Sequence, residues 1–147
     1  MTEVEIFTDG ACRGNPGPGG WAALLLTGNT RKELSGAQAD TTNNRMELTA
    51  AICGLKALKR RCVVKLYTDS KYVLQGITEW LPNWKAQGWR TAARKAVKNQ
   101  DLWEELDAAA AAQDIEWHWV KGHSGNDGNE YVDQLANDAI DRMLAGH

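Results

Sequence analysis

The chain reads as a single α/β domain over residues 1–147, built on one mixed β-sheet with helices packed against it. Three features predict this. Short β-favouring runs crowd the first quarter of the chain, apolar residues at helical spacing follow, and two further β-runs alternate with helical stretches toward the end.

Val4-Glu5-Ile6-Phe7-Thr8 alternates in the strand period and is expected to end at Asp9-Gly10. Residues 14–20 hold four glycines and two prolines, which predicts a loop. Trp21–Leu26 and Lys32–Ala37, separated by Thr27-Gly28-Asn29-Thr30, form an antiparallel hairpin at the sheet edge. Asp40 to Asn44 offers helix caps, and Leu48, Ala51, Ile52, Leu55 and Leu58 predict a helix from Asn43 to Lys59. Val63–Thr68 is read as a strand covered on both faces, closed by Asp69-Ser70 and followed by a short helix around Tyr72 to Ile77. A helix from Asp101 through the alanines at 108–112, a strand Ile115–Val120 and a glycine-rich loop at 122–128 come next. The final helix carries an apolar stripe of Val132, Ala136, Ala139, Ile140 and Met143. The element order is βββαβααβα. Trp103, Trp117 and Trp119 are expected in the core.

Net charge is only −2, which argues against a chain that coats nucleic acid over its whole surface. The distribution is uneven. Residues 80–98 carry Lys85, Arg90, Arg94, Lys95 and Lys98 with no acid, a +5 arm on a body of −7. Trp80, Trp84 and Trp89 interleave with those cations, a composition suited to a sugar-phosphate backbone, although the 80, 84 spacing also fits helical packing. No apolar run is long enough for a membrane span, and the first residues lack a secretory pattern, so a cytoplasmic monomer is expected. Cys12, Cys53 and Cys62 have neither the number nor the spacing of a disulfide framework or a CxxC zinc site.

Asp9 and Asp69 each close a strand, where open α/β sheets bind ligands. Glu47 and Asp133 stand at the borders of the apolar stripes of two helices, from which both can face the sheet end. Each placement alone also fits a turn, a cap or a solvated edge. Four together need a cation, because clustered carboxylates repel and raise one another's pKa. An all-oxygen set suits Mg²⁺ or Mn²⁺. Two such ions about 3.5–4 Å apart stabilise the attacking and leaving oxygens of a phosphoryl displacement. His123, in the loop Lys121-Gly122-His123-Ser124-Gly125, is placed to transfer protons or help product leave. A glycosidase would need only two acids and has no use for a basic arm. A binding module without catalysis would need none.

Thr8-Asp9-Gly10-Ala11, Gly14-Asn15-Pro16-Gly17, Thr42-Asn43-Asn44-Arg45-Met46-Glu47, Tyr67-Thr68-Asp69-Ser70, Val120-Lys121-Gly122-His123 and Asn129-Glu130-Tyr131-Val132-Asp133 resemble, in order and spacing, bacterial type 1 ribonuclease H. The resemblance covers nearly the whole chain. It implies a ribonuclease H-like fold with a five-stranded mixed sheet flanked by helices and a basic protrusion. It implies two-metal-ion endonucleolytic hydrolysis of the RNA strand of RNA/DNA hybrids to 5′-phosphate products, as in removal of primers during replication and repair. Asp9, Glu47, Asp69 and Asp133 correspond to the metal ligands, and His123 to the family's mobile-loop histidine. Cys12, Asn15, Asn43 and Asn44 resemble minor-groove contacts, and Asn15 with Thr42 resembles part of a pocket for a DNA-strand phosphate. Trp80, Trp84, Lys85, Trp89 and Arg90 belong to the protrusion. Lys71 stands where bacterial members often carry Gln. A resolvase or transposase-like nuclease would share the carboxylates, but the Asn15, Asn43 and Asn44 set favours the hybrid enzyme.

Overall fold

A computed structural model describes residues 2–91, 95–122 and 126–146. Its strands are β1 (Glu3–Cys12), β2 (Gly17–Thr27), β3 (Thr30–Thr41), β4 (Val63–Thr68) and β5 (Asp114–Trp119). The helices are α1 (Asn43–Lys56), α2 (Lys71–Gln75), α3 (Leu81–Ala86), α4 (Gln100–Ala111) and α5 (Asp127–Ala145), with a π-helical turn at Gly76–Trp80 joining α2 to α3. The sheet order is β3-β2-β1-β4-β5. The β1/β2 and β2/β3 pairs are antiparallel, and the β1/β4 and β4/β5 pairs are parallel.

Alternation along the strands divides the interior in two. Val4, Ile6, Ala23, Leu25, Val64 and Leu66 face Leu48, Ala51, Ile52 and Leu55 of α1 and Trp103 and Leu106 of α4. On the other face Ala22 and Leu24 meet Val132 and Ala136 of α5, with Phe7, Leu26 and Leu135 around them. The helical stripes expected from spacing are thus the buried ones, except that Leu58 follows α1 and, like Met143, is only partly buried.

Several boundaries differ from the sequence reading. Gly17–Gly20 is strand, not loop, and its glycines serve close approach: a methyl on Gly17 would lie 2.2 Å from the Arg13 carbonyl oxygen, and one on Gly20 2.3 Å from the Ala136 carbonyl oxygen of α5. β3 runs on to Thr41, and α1 stops at Lys56. The short helix after Ser70 continues through the π-helical turn to Ala86, so the basic arm begins as helix. β4 is covered on one face only. Val64, Leu66 and Thr68 are buried, whereas Val63 and Lys65 are exposed, because α5 packs on β1 to β3 and leaves the second face of β4 and β5 open. There a stack of Phe7, Tyr67 and His118, with ring centroids 4.8 and 5.1 Å apart, bridges three strands. Trp103 is fully buried and Trp117 packs against the core, but Trp119, at the end of edge strand β5, is 42% exposed.

Thr42 caps α1, its hydroxyl accepting from the Arg45 amide at 3.2 Å. Thr42→Ala should cost about 1 kcal/mol in a denaturant titration. A change below a few tenths would show that α1 is held by its packing alone.

Candidate active site

The sheet register brings the two aspartates together. Thr8 pairs with Thr68 at the last rung of the parallel β1/β4 ladder, so Asp9 and Asp69 leave adjacent strands side by side. Asp9 is not at the end of its own strand, however, since β1 continues antiparallel to β2 with Asp9 opposite Ala22. It stands where one ladder ends and the other goes on.

Glu47 arrives from the first turns of α1. Gly10 permits this, because a methyl there would lie 2.4 Å from the Glu47 amide nitrogen and 2.5 Å from the Met46 carbonyl carbon. The helix therefore rests directly on β1, and Glu47 is 5% exposed instead of lifting into solvent. Oxygens of Asp9, Glu47 and Asp69 all lie within 4.8 Å of one another. Asp133, half-buried on α5, joins from the opposite layer and lines the same cleft, near enough for its carboxyl to act on that of Asp9. The Asn137 side-chain amide donates to the Asp133 backbone carbonyl at 3.0 Å.

Burial and mutual repulsion dominate the electrostatics. Burial first, then the charge of Asp69 and the hydrogen bond and charge of Asp133, push the Asp9 carboxyl up to about 9. Glu47 is pushed well above the ordinary carboxylate range by burial, then by Asp9 and Asp69. Among the described residues, Glu47 Oε1 and Asp69 Oδ1 are buried without a hydrogen-bond partner. Orphaned, crowded carboxylate oxygens are a poor structural arrangement and a good donor set for a hard divalent cation.

The acids floor a cleft of about 580 Å³, which Ala11, Cys12, Asn43, Asn44, Ser70, Lys71 and Tyr72 complete. Asn15 Oδ1 accepts from the Asn43 amide at 3.0 Å, joining the loop after β1 to the cap of α1. The Cys12 thiol lies among the carbonyls of Gly14, Thr41 and Gly17 at 3.3–3.5 Å. Arg45 grips Asp101 with two nitrogens at 3.0 and 2.8 Å, fixing the start of α1 to α4. Sequence spacing gave no sign of that pair.

The arm is only partly as expected. Trp84 and Trp89 pack toward the core, and Trp80 and Trp84 meet at a tilt in a row of edge-on contacts that reaches Tyr72 and Trp103. Lys85 pairs with Asp107 at 3.1 Å, while Arg90, Lys95 and Lys98 are exposed. The aromatics thus hold the arm's root, and its cations face solvent. His123 and Arg94 lie outside the described residues. Gly122, just before His123, stands over the cleft, where a methyl on it would lie 3.0 Å from Asp69 Oδ2.

Residues 1–141 match the family model described as RNase H. The chain is 66% identical over 143 residues to the ribonuclease H of Hydrogenovibrio crunogenus, covering 97% of this chain and 99% of that one. Among solved structures it is similar to LC9-RNase H1, a type 1 RNase H with the type 2 active-site motif, at 33% identity and a TM-score of 0.88. That match covers 97% of this chain and 74% of the other. It shares its fold with LC11-RNase H1, solved in complex with RNA/DNA hybrid, at 24% identity and a TM-score of 0.71, covering 96% and 99% of the two chains. With the motifs, the sheet order and the acid cluster in agreement with these matches, the chain belongs to the RNase H family, in its bacterial type 1 branch.

Proposed function

We propose that the cleft hydrolyses the RNA strand of an RNA/DNA hybrid, with Asp9, Glu47, Asp69 and Asp133 as its catalytic acids and Mg²⁺ as its ion. The observation that carries this reading is the crowding of Asp9, Glu47 and Asp69 oxygens within 4.8 Å, with Glu47 Oε1 and Asp69 Oδ1 unpartnered. Divalent ions held by the four acids would supply Lewis-acid stabilisation of the attacking and leaving oxygens, Mn²⁺ serving as a substitute. The protein supplies the rest. The β1/β4 ladder, which ends at Thr8 and Thr68, fixes Asp9 and Asp69 side by side, and α1 and α5 bring Glu47 and Asp133 from opposite faces of the sheet. His123 transfers protons or assists product release from the loop that follows Gly122.

Hybrid specificity requires reading a 2′-hydroxyl on one strand and its absence on the other, and the minor groove displays both. Cys12, Asn15, Asn43 and Asn44 form the polar rim that meets it, Asn15 and Thr42 hold a DNA-strand phosphate, and Lys71 contacts the RNA side. The rim is supported by the Asn15–Asn43 hydrogen bond and by the Arg45–Asp101 clamp beneath it. Arg90, Lys95 and Lys98, with Lys85 and the tryptophans at the root, hold the backbone farther out. The working unit is one domain over 1–147, a cytoplasmic monomer. Among the described residues no helix is long and apolar enough to cross a membrane.

The test is cleavage of one labelled RNA strand presented alone, paired with DNA and paired with RNA, in Mg²⁺ or Mn²⁺. Cutting confined to the hybrid, with 5′-phosphate ends and loss on chelation, is expected; equal cutting of the RNA duplex would sink the specificity. Replacing Arg90, Lys95 and Lys98 with Gln should weaken hybrid binding and flatten its dependence on log salt by about 0.9 for each phosphate no longer neutralised. An unchanged salt slope would remove those residues from the interface.

A further inference from the structure

Lys71 and Trp119 form a pair that the acid cluster does not explain. Trp119 ends β5 with its indole 42% exposed, and its Nε1 donates to the Asp69 carbonyl oxygen at 3.2 Å. That bond fixes the ring beside the exit of β4. Lys71, the first residue of α2, lines the catalytic cleft, and its Nζ lies 5.1 Å from the centroid of the Trp119 ring.

An ammonium that lines the same cleft as the four acids would be expected to turn toward them as an internal counter-ion. Among the described residues Lys71 makes no ion pair and rests against the ring instead. An aromatic face orients a cation while leaving its charge uncompensated. Next to the cleft, on the β5 side of Asp69, the surface therefore presents an ammonium held on the partly exposed Trp119 side chain, without an ion pair among the described residues. Anions in bulk solution are repelled by the acids nearby, so the fitting ligand is an anion delivered on a chain already held at the acids. A phosphate of the nucleic-acid backbone has that property.

We infer that Lys71 and Trp119 form a backbone-phosphate subsite for the RNA strand, on the β5 side of the scissile position, the ammonium pairing the phosphate and the indole packing on the adjoining ribose. The inference rests on the hybrid-nuclease reading, which places the RNA strand across Asp9, Glu47 and Asp69. It makes Lys71 a charged contact to the RNA strand. Trp119, expected in the core from sequence, becomes part of the binding wall.

The experiment measures hybrid binding by fluorescence anisotropy in chelator across a salt series, and steady-state cleavage in Mg²⁺, for the full chain and its Lys71→Gln, Lys71→Arg and Trp119→Ala variants. Lys71→Gln should weaken binding roughly three- to tenfold, flatten the log-salt slope by about 0.9 and raise KM with kcat nearly unchanged. Lys71→Arg should restore the slope. Trp119→Ala should weaken binding, and the double variant should be impaired by less than the two single effects combined, since each residue positions the other. Wild-type affinity and slope in Lys71→Gln would overturn the subsite while leaving the hybrid reading intact. An unchanged slope with a lowered Tm would also overturn it and make Lys71 a structural counter-ion. Failure of the unmodified chain to bind or cut hybrid would overturn both readings.

Discussion

Asp9→Asn is expected to lower hydrolysis about a thousandfold while stabilising the cation-free protein at pH 8. The fall in activity follows from Asp9's central place: its carboxyl lies within 4.8 Å of those of Glu47 and Asp69, in the cleft that Asp133 also lines. Removing one anionic donor from a divalent-cation site forfeits several kcal/mol of transition-state stabilisation, and each 1.36 kcal/mol is tenfold in rate. The stability gain follows from the same crowding. A carboxyl whose folded-state pKa is raised from 3.8 to about 9 binds more protons folded than unfolded, so the fold loses stability as pH rises through that interval. Asn carries no charge to desolvate. The variant should therefore gain on the order of 1 kcal/mol or more at pH 8 in chelator, with a smaller gain at pH 5 where Asp9 is already protonated. Saturating Mg²⁺ should shrink the difference by compensating the acids in the parent. Melting curves at the two pH values, with and without Mg²⁺, check each part, and a variant less stable than the parent at pH 8 in chelator would contradict the electrostatic account.

Gly10→Ala should be nearly as damaging by a different route. The added methyl would meet the Glu47 amide nitrogen at 2.4 Å and the Met46 carbonyl carbon at 2.5 Å, and backbone on both sides cannot turn away. Either β1 bends or α1 rises. Overpacking of this kind costs about 1–3 kcal/mol and often more when no side chain can yield. Because α1 carries Glu47 and the Asn43–Asn44 rim, a displacement of about 1 Å also misplaces an acid, at a cost near a hundredfold in kcat. Thermal unfolding together with kcat separates the two effects. A variant with parental kcat would mean that α1 does not need its close seat on β1.

Much of the site was legible because it rests on local patterns. The endings at Asp69-Ser70 and the helical stripes beside Glu47 and Asp133 follow from periodicity, and the motifs then named the family. What was illegible depends on approach between distant segments. Gly17–Gly20 reads as loop by composition, yet it is strand, with Gly20 small enough for the Ala136 backbone to lie on it. Val63–Thr68 reads as doubly covered, but where α5 lies is decided by β1 to β3. The Lys71–Trp119 contact joins the start of a helix to the end of a strand far along the chain, and no spacing rule connects them. Arg45 and Asp101 likewise carry no mark of each other in sequence.

The two-layer interior has a dynamic corollary. Asp9 is on β1, Glu47 on α1 and Asp69 directly after β4, elements that share the larger core, whereas Asp133 belongs to α5 and its separate cluster around Ala22, Leu24, Val132 and Ala136. Subglobal opening can release one cooperative unit while another stays folded. Detachment of α5 alone would convert a four-acid cleft into a three-acid one without disturbing Asp9, Glu47 or Asp69. Amide exchange along α5 is then a direct gauge of how often the fourth acid is absent, and a divalent cation that engages Asp133 should slow that exchange more than exchange in α1.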